Sequence, residues 1–192
     1  GSGTMVSKCH FLTSRHVVAN LIKNERGSYV QDPNEDIFMK KNISFKLGLN
    51  LTGNGKFESN YSGKVVAAGK ASIPGDDWAV IQLDDCKAGE KYQYMKIGRV
   101  RGLRFIENKD LDFHSFPGIF QEENLGKFHL FGQKECHVIT LSEVDTLLLT
   151  TTCAAGPGSS GGPVNGPGEN GQILLLGIMA GASNNAYSTD TP

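Results

Sequence analysis

The chain has 192 residues, enough for one ordinary domain or two small packed halves, and enough to bury a core without metals or disulfides. Nineteen Lys and Arg against 20 Asp and Glu leave a net charge of −1, so there is no electrostatic footing for nucleic acid or an anionic membrane. Glycine is the outlier at 24 residues, above the usual share of about 7%, and predicts many tight turns.

Thr4 to Leu12 is the first strand candidate, and a short helical turn is expected after Ser14. From Ile43 to Leu51 every second residue is apolar, the period of a half-buried strand, and Thr52-Gly53-Asn54-Gly55 then supplies a turn. Further strands are expected at Lys64 to Gly69, Trp78 to Leu83, Lys127 to Gly132, His137 to Leu141, Thr146 to Thr152, Pro163 to Val164 and Ile173 to Met179. Many short strands with Gly-rich connections favour a sandwich or barrel over a βαβ arrangement. The charged, Gly-poor stretch from Asp84 to Asp112 is the candidate connection between two halves. This organisation gives an N-terminal unit at 1–90, a connection at 91–112 and a C-terminal unit at 113–192. The longest apolar run, Ile173 to Ala182, has ten residues, far short of the roughly 20 that a spanning helix needs, and no signal peptide is recognised.

Cys9, Cys86, Cys136 and Cys153 have no C-x-x-C spacing, which argues against a zinc site. Buried free thiols are the default reading. The even count also permits one bridge per half, Cys9 with Cys86 and Cys136 with Cys153, in an oxidising compartment. Three sequons begin at Asn42, Asn50 and Asn60, where chance alone supplies about 1.6 in a chain of this composition. They leave the compartment open, with a secreted or periplasmic one slightly favoured.

Acyl transfer needs a nucleophile, a base, a group that fixes the base's tautomer, and donors for the oxyanion. Gly158-Ser159-Ser160-Gly161-Gly162-Pro163 sets Ser160 in a glycine-rich turn where a peptide carbonyl can approach and the N–H groups of Gly158 and Ser160 can converge. Phe11-Leu12-Thr13-Ser14-Arg15-His16 ends an apolar strand on His16, held rigidly at a strand end and open to a cleft. Asp77-Trp78-Ala79-Val80-Ile81 opens a buried strand on a carboxylate able to reach inward to an imidazole. Asp76 is the competitor for that role. His10, His114, His129 and His137 lack such a setting and are expected at the surface or in packing roles.

In the order His, Asp, Ser these motifs resemble the chymotrypsin-like serine peptidases, in a style closest to bacterial trypsin-like and HtrA-type domains. The resemblance covers nearly the whole chain. It implies an all-β fold of two packed six-stranded antiparallel barrels, incomplete at both ends, since Gly1 to Val6 match the family's second strand and only ten residues follow Ala182. It further implies Ser160 as nucleophile, His16 as general base, Asp77 as the residue orienting the base, and Gly158 and Ser160 as the oxyanion hole. Ala154 and Ala155 then fall at the floor of the specificity pocket, and Met179, Ala180, Gly181 and Ala182 along the substrate-pairing strand. Ser159 stands where zymogen-activated members carry an aspartate, and the Ile-Val-Gly-Gly start is missing, so activation by a newly cut amino terminus is not expected. Ala180 replaces a serine that in many members supports the aspartate.

The resulting expectation is a serine endopeptidase with a polypeptide substrate, no cofactor and no metal, acting on neither nucleic acid nor membrane. Its oligomeric state is left open. A non-catalytic peptide-binding module on the same fold and an esterase with the same triad are the alternatives.

Overall fold

The computed structural model describes residues 1–25, 27, 29–32, 34–40, 42–49, 55–70, 76–99, 106–107, 109–118, 127–142, 148–168 and 170–181. Strands dominate. A five-stranded antiparallel sheet in the order β1-β2-β7-β6-β5 organises the first half, from β1 (Thr4–Ser7), β2 (His10–Thr13), β5 (Ile43–Leu49), β6 (Phe57–Ala68) and β7 (Ala79–Leu83). The second half centres on a four-stranded sheet, β13-β12-β8-β9, built from β8 (Leu111–Ser115), β9 (Phe131–Cys136), β12 (Pro163–Pro167) and β13 (Ile173–Ile178). Two-stranded ribbons pair β3 (Leu21–Lys23) with β4 (Tyr29–Gln31), and β10 (Val138–Ser142) with β11 (Leu148–Thr151). The fold is all-β, as expected, although among the described residues neither main sheet reaches six strands.

Each sheet closes over its own apolar cluster. Met5, Phe11, Val65, Ile81 and Leu83 form the first, with Phe11 stacked on Phe45 at 4.6 Å between ring centroids. Ile106, Leu111, Phe113, Cys136, Val138 and Val164 form the second. Burying a side chain such as Phe113 is worth roughly 1.5–3 kcal/mol, so these two clusters supply the main driving force for folding. Across the halves, Phe57 packs against Phe116 and Phe128, and from the segment between them the Gly98 N–H donates to the Leu175 carbonyl at 2.7 Å.

Several expected elements differ. The strand anticipated over Thr4 to Leu12 is a hairpin, because Lys8 and Cys9 turn the chain between β1 and β2. The strand expected at Lys127 to Gly132 starts at Phe131 and runs on to Cys136, following its partner β8, whose buried Leu111, Phe113 and Ser115 alternate with more exposed residues. Inside the expected connection lies a helix, α2 (Lys87–Tyr92), with Ala88 buried in the first cluster and Tyr92 edge-on to Tyr61. Lys91 of this helix bonds Glu58 at 2.8 Å, and that hydrogen bond holds the Glu58 carboxyl below the usual carboxylate range. The pair's contribution is therefore present at neutral pH and lost as acid protonates Glu58, but both groups are solvent-exposed and the effect on stability is small.

The cysteines are paired, Cys9 with Cys86 and Cys136 with Cys153, which overturns the default reading of free thiols. Each pair staples one half. The separations are 77 and 17 residues, and the chain entropy removed from the unfolded state grows with the loop closed. Replacing Cys9 and Cys86 by alanine should cost about 2–5 kcal/mol, more than the same change at Cys136 and Cys153. Denaturant titration of the two double variants measures the order; an equal or reversed cost would contradict it. Among the described residues no helix is long and apolar enough to cross a membrane.

Candidate active site

Antiparallel pairing of β2 with β7 sets Thr13 opposite Ala79, so the segment leaving β2 and the segment entering β7 meet at one edge of the sheet. His16 lies three residues beyond Thr13, in the single-turn helix α1 (Arg15–Val18), and Asp77 two residues before Ala79. The register alone brings them together. Asp77 accepts the His16 backbone N–H at 2.9 Å through Oδ1 and faces His16 Nδ1 at 2.5 Å through Oδ2. Its side chain is 3% exposed, whereas that of His16 is 27% exposed. The imidazole is thus gripped at Nδ1 from inside and open toward solvent on its other side. A buried carboxylate at Nδ1 selects the tautomer with its proton there and leaves Nε2 as the acceptor.

Arg15 secures this pair from behind. It is buried, with its guanidinium donating to the Gly69 carbonyl at 2.8 Å and to Gln31 Oε1 at 2.9 Å. Gly69 in turn bonds the Trp78 carbonyl through its N–H, so the helical turn of His16 and the segment of Asp77 share one anchor. Asp76, the competing carboxylate, accepts from the Lys70 N–H at 2.7 Å through Oδ2.

Ser160 approaches from the other half. β12 begins at Pro163, and its pairing with β13 (Pro163 opposite Ile178) carries Met179 alongside the turn of Ser160. The Gly161 N–H bonds the Met179 carbonyl at 2.7 Å, and the Met179 N–H bonds the Gly162 carbonyl at 2.9 Å. Ser14 stands at the start of α1 but its hydroxyl does not cap the helix; it donates to the same Met179 carbonyl at 2.8 Å. Gly161 has φ +83°, and a Cβ there would stand against the Ser2 carbonyl and the Thr13 hydroxyl, closer than non-bonded atoms pack. Only glycine admits this approach, which sets the residue after Ser160 directly on the segment leading to His16. Among the described residues the Ser160 hydroxyl makes no hydrogen bond with the imidazole.

The peptide groups of the turn are accounted for one by one. Ser159 N–H bonds the Gly156 carbonyl, Gly162 N–H the Ser159 carbonyl, and Gly118 N–H the Pro157 carbonyl, all at 2.7–2.9 Å. Among the described residues, the N–H groups of Gly158 and Ser160 have no acceptor. They are the two donors expected for an oxyanion. Ser159 is 1% exposed, its hydroxyl accepting from Ser115 at 3.1 Å and from the Gly156 N–H at 3.2 Å, so this position holds a neutral bond network.

Of the residues expected to line the specificity pocket, Ala155 and Met179 are partly buried against the second cluster, while Ala154 is exposed with its N–H on Gln133 Oε1 at 2.6 Å. Ala180 is half-buried and Gly181 exposed; Ala182 lies outside the described residues. Among the described residues no three His, Cys, Asp or Glu side chains gather as a metal-binding set. Ser2, Ser14, Arg15 and Ser115 were not singled out by sequence, since their partners lie far along the chain and no local motif marks them.

No family model matches the chain, and no curated protein matches it. Among solved structures the chain is similar to a Glu endopeptidase in complex with MPD, at 20% identity and a TM-score of 0.58 over 92% of this chain and 71% of that one. A thermostable serine protease, AL20 from an extremophilic microorganism, superposes at 14% identity and a TM-score of 0.49 over 94% and 73%. With the sheet arrangement above, the first of these likenesses shows an all-β, chymotrypsin-like fold.

Proposed function

We propose that this protein is a serine endopeptidase acting through an acyl intermediate on Ser160. The observation that carries the proposal is the pair of N–H groups at Gly158 and Ser160 that have no acceptor among the described residues, in a turn packed against the segment that leads to the His16–Asp77 pair. In the proposed reaction Ser160 Oγ attacks the scissile carbonyl carbon as its proton passes to His16 Nε2, and the carbonyl oxygen takes up the negative charge between the two N–H groups. Collapse expels the amine, which leaves with the proton from His16. Water then attacks the acyl carbon with His16 again as base, releasing the carboxylic acid and restoring Ser160. Asp77 keeps the imidazole in the accepting tautomer and stabilises it once it is charged. Catalytic hydrogen bonds are often made only when substrate is bound, so the separate Ser160 hydroxyl is compatible with this scheme.

Met179 to Gly181 continue the edge strand β13 and offer a backbone for a peptide to pair with, which favours peptides over simple esters. The residues assigned to the pocket, Ala154, Ala155, Met179, Ala180 and Gly181, carry no charge, and burying Lys, Arg or Glu against them would leave an unpaired ion at a cost of several kcal/mol. The similar structure's name specifies Glu; here small or medium uncharged side chains are proposed at the cleaved position. The two disulfides fit an oxidising compartment.

A fluorophosphonate should label Ser160 covalently, and a peptide library should be cleaved after uncharged residues. Absence of labelling would make the chain a binding module on the same fold; hydrolysis of esters without peptides would make it an esterase. Dominant cleavage after Lys, Arg or Glu would overturn the pocket assignment and leave the nucleophile in place.

A further inference from the structure

We propose that Ser2 is the positioning residue of the oxyanion-binding turn, a residue from the first half of the chain whose hydroxyl and backbone N–H tie down the 158–159 and 160–161 peptide groups, the two that flank the peptide carrying the Ser160 N–H. The inference rests on the peptidase reading above and adds to it the device that aims the donors.

A glycine-rich turn is free to rotate its peptide planes, and a rotation at Gly158, whose φ is +92°, would swing an oxyanion donor out of the site. Holding the donors requires that the carbonyls of the turn be tied down. Two of those ties end on Ser2. Its hydroxyl donates to the Gly158 carbonyl at 2.9 Å, and its backbone N–H donates to the Ser160 carbonyl at 2.7 Å. The hydroxyl also accepts the Phe116 N–H at 2.9 Å, which occupies a lone pair and directs its proton toward Gly158. The Ser2 carbonyl accepts the Thr13 hydroxyl at 2.6 Å, linking the same residue to the end of the strand that leads to His16. Ser2 is 6% exposed, so water does not readily replace these bonds.

With the ties at Pro157 and Ser159 already described, both faces of the turn are held, and among the described residues only the N–H groups of Gly158 and Ser160 remain for a ligand. Every bond in this set joins uncharged groups. The positioning should therefore be insensitive to pH, unlike an ion pair that is lost when one partner titrates.

Ser2→Ala removes the hydroxyl and keeps the backbone bond to Ser160. It leaves the Gly158 carbonyl and the Phe116 N–H unpaired. The expected result is a fall in kcat on the order of 10- to 100-fold with KM changed by less than about threefold. Affinity for a peptide aldehyde, whose hemiacetal carries the oxyanion, should fall in parallel. The midpoints of the pH profile should stay in place, because the His16–Asp77 pair is untouched. Ser2→Thr, which restores a hydroxyl, should recover most of kcat.

Hydrogen exchange of the segment 156–162 gives a readout that needs no activity, and its amides should exchange about tenfold faster in Ser2→Ala. If Ser2→Ala does not fold, Ser2→Cys, nearly isosteric but a weak acceptor, serves for the same measurements. Unchanged kcat, aldehyde affinity and exchange would overturn the inference, as would a lower melting temperature with kcat unchanged. A wild-type chain that neither labels nor hydrolyses would instead tell against the peptidase reading, and the exchange comparison would still decide whether Ser2 holds the turn.

Discussion

Ser160→Ala is expected to abolish nearly all turnover, by about 10⁴- to 10⁶-fold in kcat, while leaving the fold unchanged. The loss is that large because in the proposed reaction the hydroxyl is the group that becomes acylated, and no neighbouring group replaces it: Ser159 is buried, its oxygen already accepting two hydrogen bonds. The fold should survive because, among the described residues, the Ser160 side chain has no hydrogen-bond partner and the turn is held through its backbone. His16→Ala should cost a similar amount. The double variant should lose little more than either single one, since both remove the same proton-coupled step. Steady-state kinetics of the three variants, with circular dichroism as the control for folding, measure this. Substantial peptidase activity in Ser160→Ala would show that another residue is the nucleophile.

How much of this was legible in the sequence follows from how local each signal is. Gly158 to Pro163, the segment leading to His16 and the segment opening on Asp77 are contiguous motifs, and each turned out to sit at a strand end where backbone pairing dictates its position. Alternation revealed β5, because Phe45 and Leu47 face the core while Ser44 and Lys46 face water. It missed β8, where five residues, Leu-Asp-Phe-His-Ser, are too few to establish a period. It also missed the first half of β6, whose Glu58, Asn60 and Ser62 dilute the apolar pattern.

The support of the site was illegible for a different reason. Ser2 bonds a residue 156 positions away and Ser14 one 165 positions away, and a serine just before a strand or at a helix start has an ordinary local explanation. Ser14 even occupies the position where a helix cap would be read, while its hydroxyl is spent on the other half of the molecule. Such residues are visible only once both sheets are in place, because what they do is join them. Glycine at 161 is a third case: the motif predicted a glycine there for substrate access, and the structure adds that its missing side chain lets the two halves touch.

Asp77→Asn is the second large effect, expected at about 10⁴-fold in kcat at neutral pH. Asp77 presents an oxygen to the His16 backbone N–H and another to Nδ1, and asparagine can keep only one oxygen acceptor. If that oxygen stays on the backbone N–H, the amide NH₂ faces the ring. Nδ1 must then become an acceptor, so the neutral imidazole carries its proton on Nε2 and is unable to take one from Ser160. The ring would be present, in place and in the wrong tautomer. The variant's kcat should stay low, because its neutral imidazole is the unproductive tautomer. KM should change little, since Asp77 is buried behind the imidazole and does not reach the substrate. Asp76→Asn supplies the control, because Asp76 bonds only the nearby Lys70 N–H among the described residues, and its loss should leave kcat within about threefold. Kinetics of both variants across pH decide between the two aspartates. A large loss in Asp76→Asn with Asp77→Asn active would exchange their roles, and full activity in both would remove the carboxylate from the mechanism.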